Sequence, residues 1–530
     1  MTDPTLSFAQ LLARGARRPA LLTRLARALL EDALQGGCAL ALEDLRISAS
    51  DLRDEPAIGG PDDDDRPLVL SGTGRIYLRR HFQSERVLGE AIRNRLKPVQ
   101  AASVIEPKLN PAQRQALALG LSAPLTLIFG GPGTGKTHTA GALISALARS
   151  AKEPLQVALA APTGKAAARL REAIGQCEYP MLKLEVLTLH QLLGLSPHNE
   201  PLDDDADPMG HDLIVLDECS MVPLGLLAAL FKRSPPETRL LLMGDPDQLD
   251  AVNEGFAFAE LRALSANPKN PLHRVAVTLT EQRRFSATSA LYRFAEATRL
   301  GHVATALEAL KDDPATLSRH DFNEGNAQLL LGHALDHYRA LSTQPLEEAL
   351  AAQRNFQILS ARKTGPFSVD AINQAARTAL GESQAYFENQ PLLIERNSRA
   401  HGLRNGDLGL LRRDEGELKF FCLDSEGGLL AVALTDLPAF RPAYALTIHK
   451  AQGSEFAEIA VVLTDIASPI LSRQLIYTAV TRAKQKVRIY SSVAALSQGI
   501  DSAPKRVSGL ADWLPASALL DRVDQLHLPF

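Results

Sequence analysis

The 530-residue sequence contains few cysteines, and their spacing is irregular. The four are Cys38, Cys177, Cys219 and Cys422, and no two of them form a closely spaced pair. Structural zinc sites and iron–sulfur clusters take their ligands from closely spaced cysteines, and disulfide-rich domains are short and cysteine-dense. The pattern therefore argues against a disulfide framework, a zinc site and an iron–sulfur cluster, and it favours buried or free thiols in a reducing compartment.

The sequence also lacks a charge excess and a long apolar run. The formal net charge is −4, so any contact with nucleic acid must be local rather than a general attraction. No stretch reaches the roughly 18 apolar residues of a transmembrane helix, and the N-terminus does not resemble a signal peptide. We expect a cytoplasmic protein without a membrane span. Its length allows roughly three or four domains.

The clearest motif is LTLIFGGPGTGKT, a strand-like run that breaks into glycines and precedes an alanine- and leucine-rich helical segment. Glycines let backbone N–H groups turn toward a phosphate, while the lysine supplies charge for the β- and γ-phosphates. The threonine hydroxyl is a ligand for Mg²⁺. A glycine-rich surface turn would not need this strand–loop–helix context. We predict that ATP and Mg²⁺ bind at Gly130, Gly131, Pro132, Gly133, Thr134, Gly135, Lys136 and Thr137.

A helix start precedes this loop in LNPAQRQALAL. Asn110 is a suitable N-cap, and Pro111 suits the first helical position. The amide of Gln113 offers a paired donor and acceptor for an adenine edge. The ordinary alternative is an exposed surface glutamine. Its position upstream of the phosphate loop makes Gln113 a candidate for adenine binding.

Two later apolar runs end in polar residues, as buried parallel strands do at a ligand-binding edge. LIVLDECS ends in Asp217 and Glu218, which would be costly at a buried strand end without a cation or substrate. We assign Asp217 to Mg²⁺ and Glu218 to polarising the attacking water. LLLMGDPDQLDAV places Gln248 where it can bond the γ-phosphate or that water, which predicts a sensor.

Other strand ends carry residues suited to an anionic ligand. In QVALAAPTGKAAARL, Thr163 and Lys165 follow a strand, and Lys165 is suited to hold a phosphate of a polynucleotide. Thr188 and His190 occupy another strand end, although an isolated histidine is more often structural. Arg482 lies in an apolar setting that would penalise an unpaired charge. We predict that it reaches the triphosphate across a domain cleft as an arginine finger.

The coarse pattern predicts an α/β protein with three parts. Residues 1–105 alternate helical patterns with an acidic loop and are expected to form a helical N-terminal domain. Its arginine-rich segment RIYLRRHFQSERVLGEAIRNRL is interpreted first as a solvated helix face, with a nucleic-acid contact or a docking surface as alternatives. Strand–helix alternation predicts α/β domains over 106–270 and 271–530. Short alternating runs over about 406–440 predict a small antiparallel β insertion in the second domain.

In this order, the motifs resemble those of superfamily 1B DNA helicases, in particular the helicase subunits of RecBCD-type helicase–nucleases. The resemblance runs from Leu109 to about Tyr490 through GGPGTGKT, APTGKAAARL, TLHQLLG, LDECSM, GDPDQLDAV, NGDLG, ALTIHKAQGSEF and IYTAVTRAK. It implies two RecA-like P-loop NTPase domains that clamp ATP between them, and it implies that Arg284 joins Arg482 in the site. It also implies a single-stranded DNA track past Thr163, Thr188, His190, Thr447 and His449.

The function that the resemblance implies is an ATP-dependent 5′–3′ single-stranded DNA translocase and helicase, acting in double-strand break repair and homologous recombination. In such an enzyme, RecB-like and RecC-like subunits complete a heterotrimer on duplex-end DNA, and a partner supplies the nuclease activity. A stand-alone 5′–3′ helicase of the same superfamily is one alternative. A regulatory P-loop ATPase switch is another, although a simple switch needs neither a second α/β half nor paired arginines.

Overall fold

A computed structural model describes residues 4–515, apart from 35, 64, 97–105, 107, 176–180, 197–208, 252–255, 283–285, 287, 322–323, 381–384, 425–426, 464–469 and 504–506. Arg284 and Cys177, which the sequence analysis singled out, lie outside the described residues. The three described cysteines are buried, and none of them forms a disulfide within the described part of the chain. Within the described ranges, none of the helices combines the length and the apolar content that crossing a lipid bilayer requires.

The N-terminal region combines the predicted helices with a small sheet. Its elements are α1 (Pro4–Ala13), α2 (Pro19–Leu34), β1 (Ala39–Ala41), α3 (Leu42–Leu45), β2 (Ile58–Gly59), β3 (Leu68–Leu70), β4 (Arg75–Leu78) and α4 (Arg79–Arg95). The strand order is β1-β4-β3-β2, and only the β2–β3 pair is parallel. This sheet was not predicted, because strands of two to four residues are too short to show an alternating pattern.

Helix α4 packs one face into the molecule and leaves Arg80, Glu90 and Arg93 exposed on the other. Leu88 and Ile92 are fully buried in the core of the first α/β domain. Arg95, near the end of α4, is buried as well, and it donates hydrogen bonds to the carbonyls of Ser234 and Pro235 at 2.6 and 2.9 Å. The interpretation of this arginine-rich segment as a solvated face therefore holds for Arg80 and Arg93, which are exposed, but not for Arg79 and Arg95, which are buried. An arginine on a polar position can also serve a buried carbonyl.

The first α/β domain is built on a six-stranded parallel sheet. Its elements are α5 (Pro111–Ser122), β5 (Leu125–Gly130), α6 (Lys136–Ser150), β6 (Leu155–Ala161), α7 (Gly164–Ile174), β7 (Leu182–Thr188), α8 (Leu189–Leu192), β8 (Leu213–Leu216), α9 (Leu224–Arg233), β9 (Arg239–Gly244), α10 (Ala257–Ser265) and β10 (Ala276–Leu279). The strand order is β10-β5-β9-β8-β6-β7. Because all pairs are parallel, every carboxyl end lies at one edge.

The first domain extends beyond the boundary predicted at residue 270. Strand β10 was expected to open the second domain, but it pairs in parallel with β5, the strand before the phosphate loop. The apolar run showed that a strand was present, whereas its partner strand depends on tertiary packing that the local pattern does not contain. We therefore place the division between the two α/β domains after β10.

The second α/β domain contains a parallel sheet and an antiparallel insertion. Its elements are α11 (Ala290–Leu300), α12 (Val303–Asp312), β11 (Leu317–His320), α13 (Glu324–Ser342), α14 (Leu346–Ala352), β12 (Phe356–Ser360), α15 (Val369–Ala379), β13 (Pro391–Ile394), β14 (Leu408–Asp414), β15 (Glu417–Leu423), β16 (Leu429–Ala433), β17 (Phe440–Pro442), β18 (Ala445–Thr447), β19 (Phe456–Val462), α16 (Arg473–Val480), β20 (Ala483–Tyr490) and α17 (Val493–Asp501). The parallel sheet has the order β11-β20-β19-β12-β18.

The insertion is an antiparallel sheet with the order β16-β15-β14-β13-β17. It begins at β13, earlier than the predicted start near residue 406, because β13 pairs with strands that follow it in sequence. The two parallel sheets flanked by helices confirm the predicted fold class of two RecA-like domains.

The chain finally returns to its N-terminal region. The carbonyl of Val507 accepts hydrogen bonds from the N–H groups of Cys38 and Ala39, both at 3.3 Å. Leu510 and Leu514, within and just after α18 (Leu510–Trp513), join the core of the first α/β domain. Residues 507–514, here called the C-terminal segment, therefore pack away from the second domain in which the sequence analysis had placed them.

Candidate active site

The phosphate loop is formed between β5 and α6. Gly133 and Gly135 have φ values of 78° and 87°, a left-handed conformation that glycine adopts without a steric penalty. The loop then enters α6 at Lys136, whose ammonium donates to the carbonyls of Gly130 and Gly131 at 2.6 and 3.1 Å. The loop, the lysine and the helix N-terminus therefore surround one concave surface, which is the arrangement that binds a phosphate.

The paired acids follow β8, at the same edge of the sheet. Glu218 has a φ of 54°, unusual for a non-glycine residue, and its N–H donates to the Asp217 carboxylate at 2.8 Å. Burial and the neighbouring Glu218 raise the pKa of Asp217 to about 6. A buried carboxylate whose ionised form is disfavoured gains from a nearby cation. Together with the Thr137 hydroxyl, it offers the oxygen ligands that Mg²⁺ prefers.

The predicted sensor lies just after β9, the strand between β5 and β8. The Gln248 amide donates to the Asp245 carboxylate at 3.0 Å, and both residues are buried. Burial raises the pKa of Asp245 to about 6. Asp245 also accepts a hydrogen bond at 3.1 Å from the hydroxyl of Tyr477, which belongs to α16 of the second domain. The predicted sensor, Gln248, is therefore linked through Asp245 to Tyr477 of the second domain.

The second domain closes the site. A cleft of about 470 Å³ is lined from the first domain by Lys136, Thr137, Asp217, Glu218 and Gln248, and from the second by Gly453, Glu455 and Arg482. Arg482 is buried, and its guanidinium donates to the carbonyl of Thr478 at 3.1 Å. Ten residues predicted from separate motifs line this cleft, because Pro132, Gly133, Thr134 and Gly135 of the phosphate loop lie there together with the six predicted residues named above. Arg284, which was also predicted to join the site, lies outside the described residues.

Gln113 lies against the phosphate loop and is buried. Its amide nitrogen donates to the Thr134 carbonyl at 3.2 Å, and its amide oxygen accepts from the Asn110 N–H at 3.1 Å. Asn110 caps α5 in return, so the predicted N-cap is present as a capping box. In this structure the Gln113 amide supports the loop, and its contact with adenine stays a prediction.

The threonines predicted along a DNA track lie at carboxyl ends of strands in both domains. Thr163 and Thr188 cap α7 and α8, and their hydroxyls accept hydrogen bonds from the N–H groups of Ala166 and Gln191. Thr447 ends β18 and accepts from the Lys450 N–H at 3.2 Å. His190 and His449 follow Thr188 and Thr447 in the chain. These residues lie at the carboxyl edge of the parallel sheet in each domain. Their contact with DNA stays a prediction.

Lys165, predicted to hold a phosphate of a polynucleotide, contacts the antiparallel insertion in this structure. Its ammonium lies 3.5 Å from the carbonyl of Gly406, just before the second strand of the insertion. Burial, with Arg354 and Arg169 nearby, lowers the pKa of Lys165 to about 7. The nearby Arg404 guanidinium also reaches the Gly164 carbonyl, at 3.4 Å. In this structure Lys165 contributes to an interface between α7 and the insertion.

Arg169, which lines the cleft and joins the two domains, was not predicted from the sequence. Its guanidinium donates to the Gly453 carbonyl at 2.6 Å and forms an ion pair with Glu455 at 3.2 Å. Arg169 lies on α7 of the first domain, and its partners precede β19 of the second. No local sequence pattern indicates this contact, because an arginine on a helix is most often solvated.

Comparison with known proteins identifies the family of this chain. The model of an AAA domain matches residues 108–317, and the model of a UvrD-like helicase C-terminal domain matches residues 442–490. The chain is 36% identical over 422 residues to the RecBCD enzyme subunit RecD of Mycolicibacterium smegmatis, covering 75% of this chain and 74% of that protein. The chain belongs to the RecD family.

Other relatives extend the RecD assignment across most of the chain. The RecBCD enzyme subunit RecD of Haemophilus influenzae is 30% identical over 521 residues, which cover 83% of this chain and 80% of that protein. The ATP-dependent RecD2 DNA helicase of Deinococcus radiodurans is 29% identical, covering 88% of this chain and 62% of that protein.

A solved structure of a Bacteroides Pif1 helicase with ADP-AlF3 and ssDNA aligns with a TM-score of 0.45 at 17% identity, covering 79% of this chain and 97% of that one. As a RecD-family chain, this protein is a helicase-type ATPase.

Proposed function

We propose that this chain is the ATP-driven motor of a RecBCD-type helicase–nuclease and moves 5′ to 3′ along single-stranded DNA. The observation that carries the proposal is the shared cleft, in which the first domain supplies Lys136 and Asp217 while the second supplies Arg482. A site built from two domains changes whenever they move relative to each other. Hydrolysis at this cleft therefore drives motion between the two domains.

The residues of the cleft divide the chemistry among them. Lys136 holds the β- and γ-phosphates, and Thr137 and Asp217 would hold Mg²⁺, which neutralises phosphate charge when it is bound with ATP. Glu218 orients the attacking water and accepts its proton. Gln248 senses the γ-phosphate, and Arg482 stabilises the charge that develops in the transition state. Because their motifs resemble those of the helicase family, we propose that Arg284 acts in the same way as Arg482 and that Gln113 contacts the adenine.

DNA would cross the carboxyl edges of both parallel sheets. Thr163 and Thr188 lie at that edge in the first domain, and Thr447 lies at it in the second. Hydroxyls and helix N-termini at such positions bind phosphates. We infer that one strand contacts both domains here, near His190, His449 and Lys165, so that domain motion shifts the strand.

The partners are inferred from the relatives. Two of them are named as subunits of the RecBCD enzyme, and the chain aligns with three quarters or more of its own length to each. We propose RecB-like and RecC-like partners in a heterotrimer that acts on duplex-end DNA, with the nuclease activity in a partner. The N-terminal region is the proposed docking domain, because the predicted motor residues all lie after it.

The first test of this function is the rate of ATP hydrolysis with and without single-stranded DNA. We expect DNA to stimulate the wild type, and Lys136→Gln to lower the stimulated rate by about 100-fold or more, as expected for losing a group that stabilises the transition state. Lys152→Gln, which changes an exposed lysine beyond α6, is the matched control and keeps the wild-type rate. Hydrolysis that is indifferent to DNA would contradict the motor and favour a regulatory switch.

A stand-alone 5′–3′ helicase is the second candidate. The observation in its favour is that the chain aligns over 88% of its length with a protein named as a RecD2 DNA helicase. Unwinding of a tailed duplex distinguishes the two candidates. The subunit proposal expects unwinding to need the partners, whereas processive unwinding by the purified chain alone would favour the stand-alone helicase.

A further inference from the structure

The loop that carries the predicted sensor is bound by the second domain at several points. Residues 245–250, here called the sensor loop, follow β9 of the first domain. The backbone N–H of Leu249 donates to the Thr478 hydroxyl at 2.8 Å, and its carbonyl accepts from the Gln452 amide at 3.0 Å. Arg299 pairs with Asp247 at 3.0 Å, and Gln474 donates to Asp250 at 3.3 Å. The sensor loop is thus a fixed point of contact between the two domains.

Tyr477 makes a further contact with the sensor loop, at Asp245, the residue that binds Gln248 of the nucleotide cleft. Its hydroxyl is 3.1 Å from the Asp245 carboxylate, which also holds the Gln248 amide at 3.0 Å on the same oxygen. Tyr477 is 4% exposed and Asp245 is 2% exposed, so water does not compete for this bond. The hydroxyl also approaches the phosphate loop, because a Cβ added at Gly131 would lie 3.0 Å from it.

The helix that carries Tyr477 also positions the arginine of the cleft. α16 includes Thr478, whose carbonyl accepts the Arg482 guanidinium at 3.1 Å and whose hydroxyl accepts from the sensor loop. Movement of this helix therefore displaces Arg482 and the contacts of Gln248 together. A phenol held by a charged acceptor in a dry interface fixes that geometry more strongly than an aromatic ring alone.

We propose that Tyr477 is a positioning residue that couples the nucleotide cleft to the second domain through its hydrogen bond to Asp245. It does not touch the reacting atoms. It keeps Gln248 of the first domain and Arg482 of the second in a fixed relative position. The state of the triphosphate is thereby transmitted to the second domain, which contacts the DNA strand. This inference rests on the proposed motor function and names the residue through which the two halves of the motor communicate.

The test compares Tyr477→Phe with Tyr490→Phe in the full chain. Both changes remove one buried phenolic hydroxyl from the second domain, but within the described residues the Tyr490 hydroxyl has no hydrogen-bond partner. We expect the ratio of DNA-stimulated to basal kcat to fall about tenfold in Tyr477→Phe, as for the loss of a hydrogen bond to a charged group. The ratio stays at the wild-type value in Tyr490→Phe. A simple loss of packing would lower both rates together.

A binding measurement checks the coupling directly. The affinity for an oligothymidylate is measured with ADP and with a non-hydrolysable ATP analogue, and the two affinities of the wild type should differ. In Tyr477→Phe their ratio moves toward one. If Tyr477→Phe does not fold, Asp245→Asn weakens the same bond from its other end, and the same change is expected.

The outcomes separate this inference from the function on which it rests. A wild type that DNA does not stimulate would overturn the motor and the coupling together. A wild type that DNA stimulates, with an unchanged ratio in both Tyr477→Phe and Asp245→Asn, would overturn the coupling alone. Equal losses in Tyr477→Phe and Tyr490→Phe would also overturn it, because the effect would then be that of any buried hydroxyl.

Discussion

At the scale of single residues, a buried carboxyl group, Glu85, and a partly buried one, Glu260, meet where α4, α10 and the C-terminal segment pack together. Glu85 accepts hydrogen bonds from the Ser508 hydroxyl at 2.7 Å and from the Gly509 N–H at 3.1 Å. Burial raises the pKa of Glu85. Burial, and to a smaller extent Glu85, raise the pKa of Glu260 to about 7. Glu260 thus favours its neutral form at this junction.

This environment predicts a pH dependence of stability. The pKa of Glu260 rises from 4.5 to about 7 on folding, so the folded chain binds a proton that the unfolded chain has lost. The stability that this proton contributes is complete below the unfolded pKa and is lost as the pH rises through about 7. We expect Glu260→Gln to melt at a higher temperature than wild type at about pH 8, and the difference to vanish toward about pH 4.5.

The control for this titration is Glu308→Gln, which changes an exposed carboxylate on α12. Its melting temperature should follow that of the wild type at every pH, because an exposed side chain keeps its contact with water when the chain folds. A difference between Glu260→Gln and wild type that is constant with pH would contradict the assignment.

The residues of the nucleotide cleft were largely predictable, whereas the residues that join the domains were not. Lys136, Asp217 and Gln248 each follow an apolar strand in a short motif whose chemistry is local. Tyr477 and Arg169 have no such signal, because each acquires its role from a partner more than two hundred residues away. Sequence patterns report local structure, and these contacts depend on how the two domains pack.

At the scale of elements, α4 and the C-terminal segment are fitted closely together. A Cβ added at Gly89 of α4 would lie 2.3 Å from the Cβ of Trp513, closer than any real contact. Trp513 also packs edge-on against the Phe82 ring, with centroids 5.7 Å apart. Glycine at position 89 is therefore what allows the C-terminal segment to lie on this helix.

We expect Gly89→Ala to destabilise the protein by about 1–3 kcal/mol, because the added methyl group must displace Trp513. Gly332→Ala is the matched control, since it changes a glycine within α13 that has open space around it. There, better helix propensity should stabilise by about 0.5–1 kcal/mol. Thermal unfolding of the two full-length variants checks the pair. Melting temperatures that shift in the same direction would contradict this account of the packing.

The long buried strands were predictable because each is an unbroken apolar run. β5, β8 and β9 are buried along their lengths, apart from the first residue of β9, and their carboxyl ends meet as parallel pairing requires. The antiparallel insertion was also indicated by its alternation and glycine turns, although not its first strand. The short N-terminal strands were missed, and β10 was assigned to the wrong domain, because pairing partners are a property of the folded chain.

At the scale of the whole molecule, the first α/β domain is held from two sides. The N-terminal region and the C-terminal segment cover one side, with Leu88 and Leu510 in its core. The second domain meets the other side through the cleft and the sensor loop. We infer that motion driven by ATP occurs at the second junction, where polar contacts can exchange, rather than at the first, where apolar cores are shared.

The most direct test of this account is the direction of movement on single-stranded DNA. Streptavidin release is measured from two oligonucleotides, one biotinylated at its 3′ end and one at its 5′ end. The chain is assayed together with its partners, as wild type and as Lys136→Gln, so that the two complexes differ only in this motor. We expect wild type to release streptavidin from the 3′ end in an ATP-dependent reaction. In Lys136→Gln, the part of that release due to this chain is lost. Equal release by the two proteins, or a component lost only at the 5′ end, would contradict it.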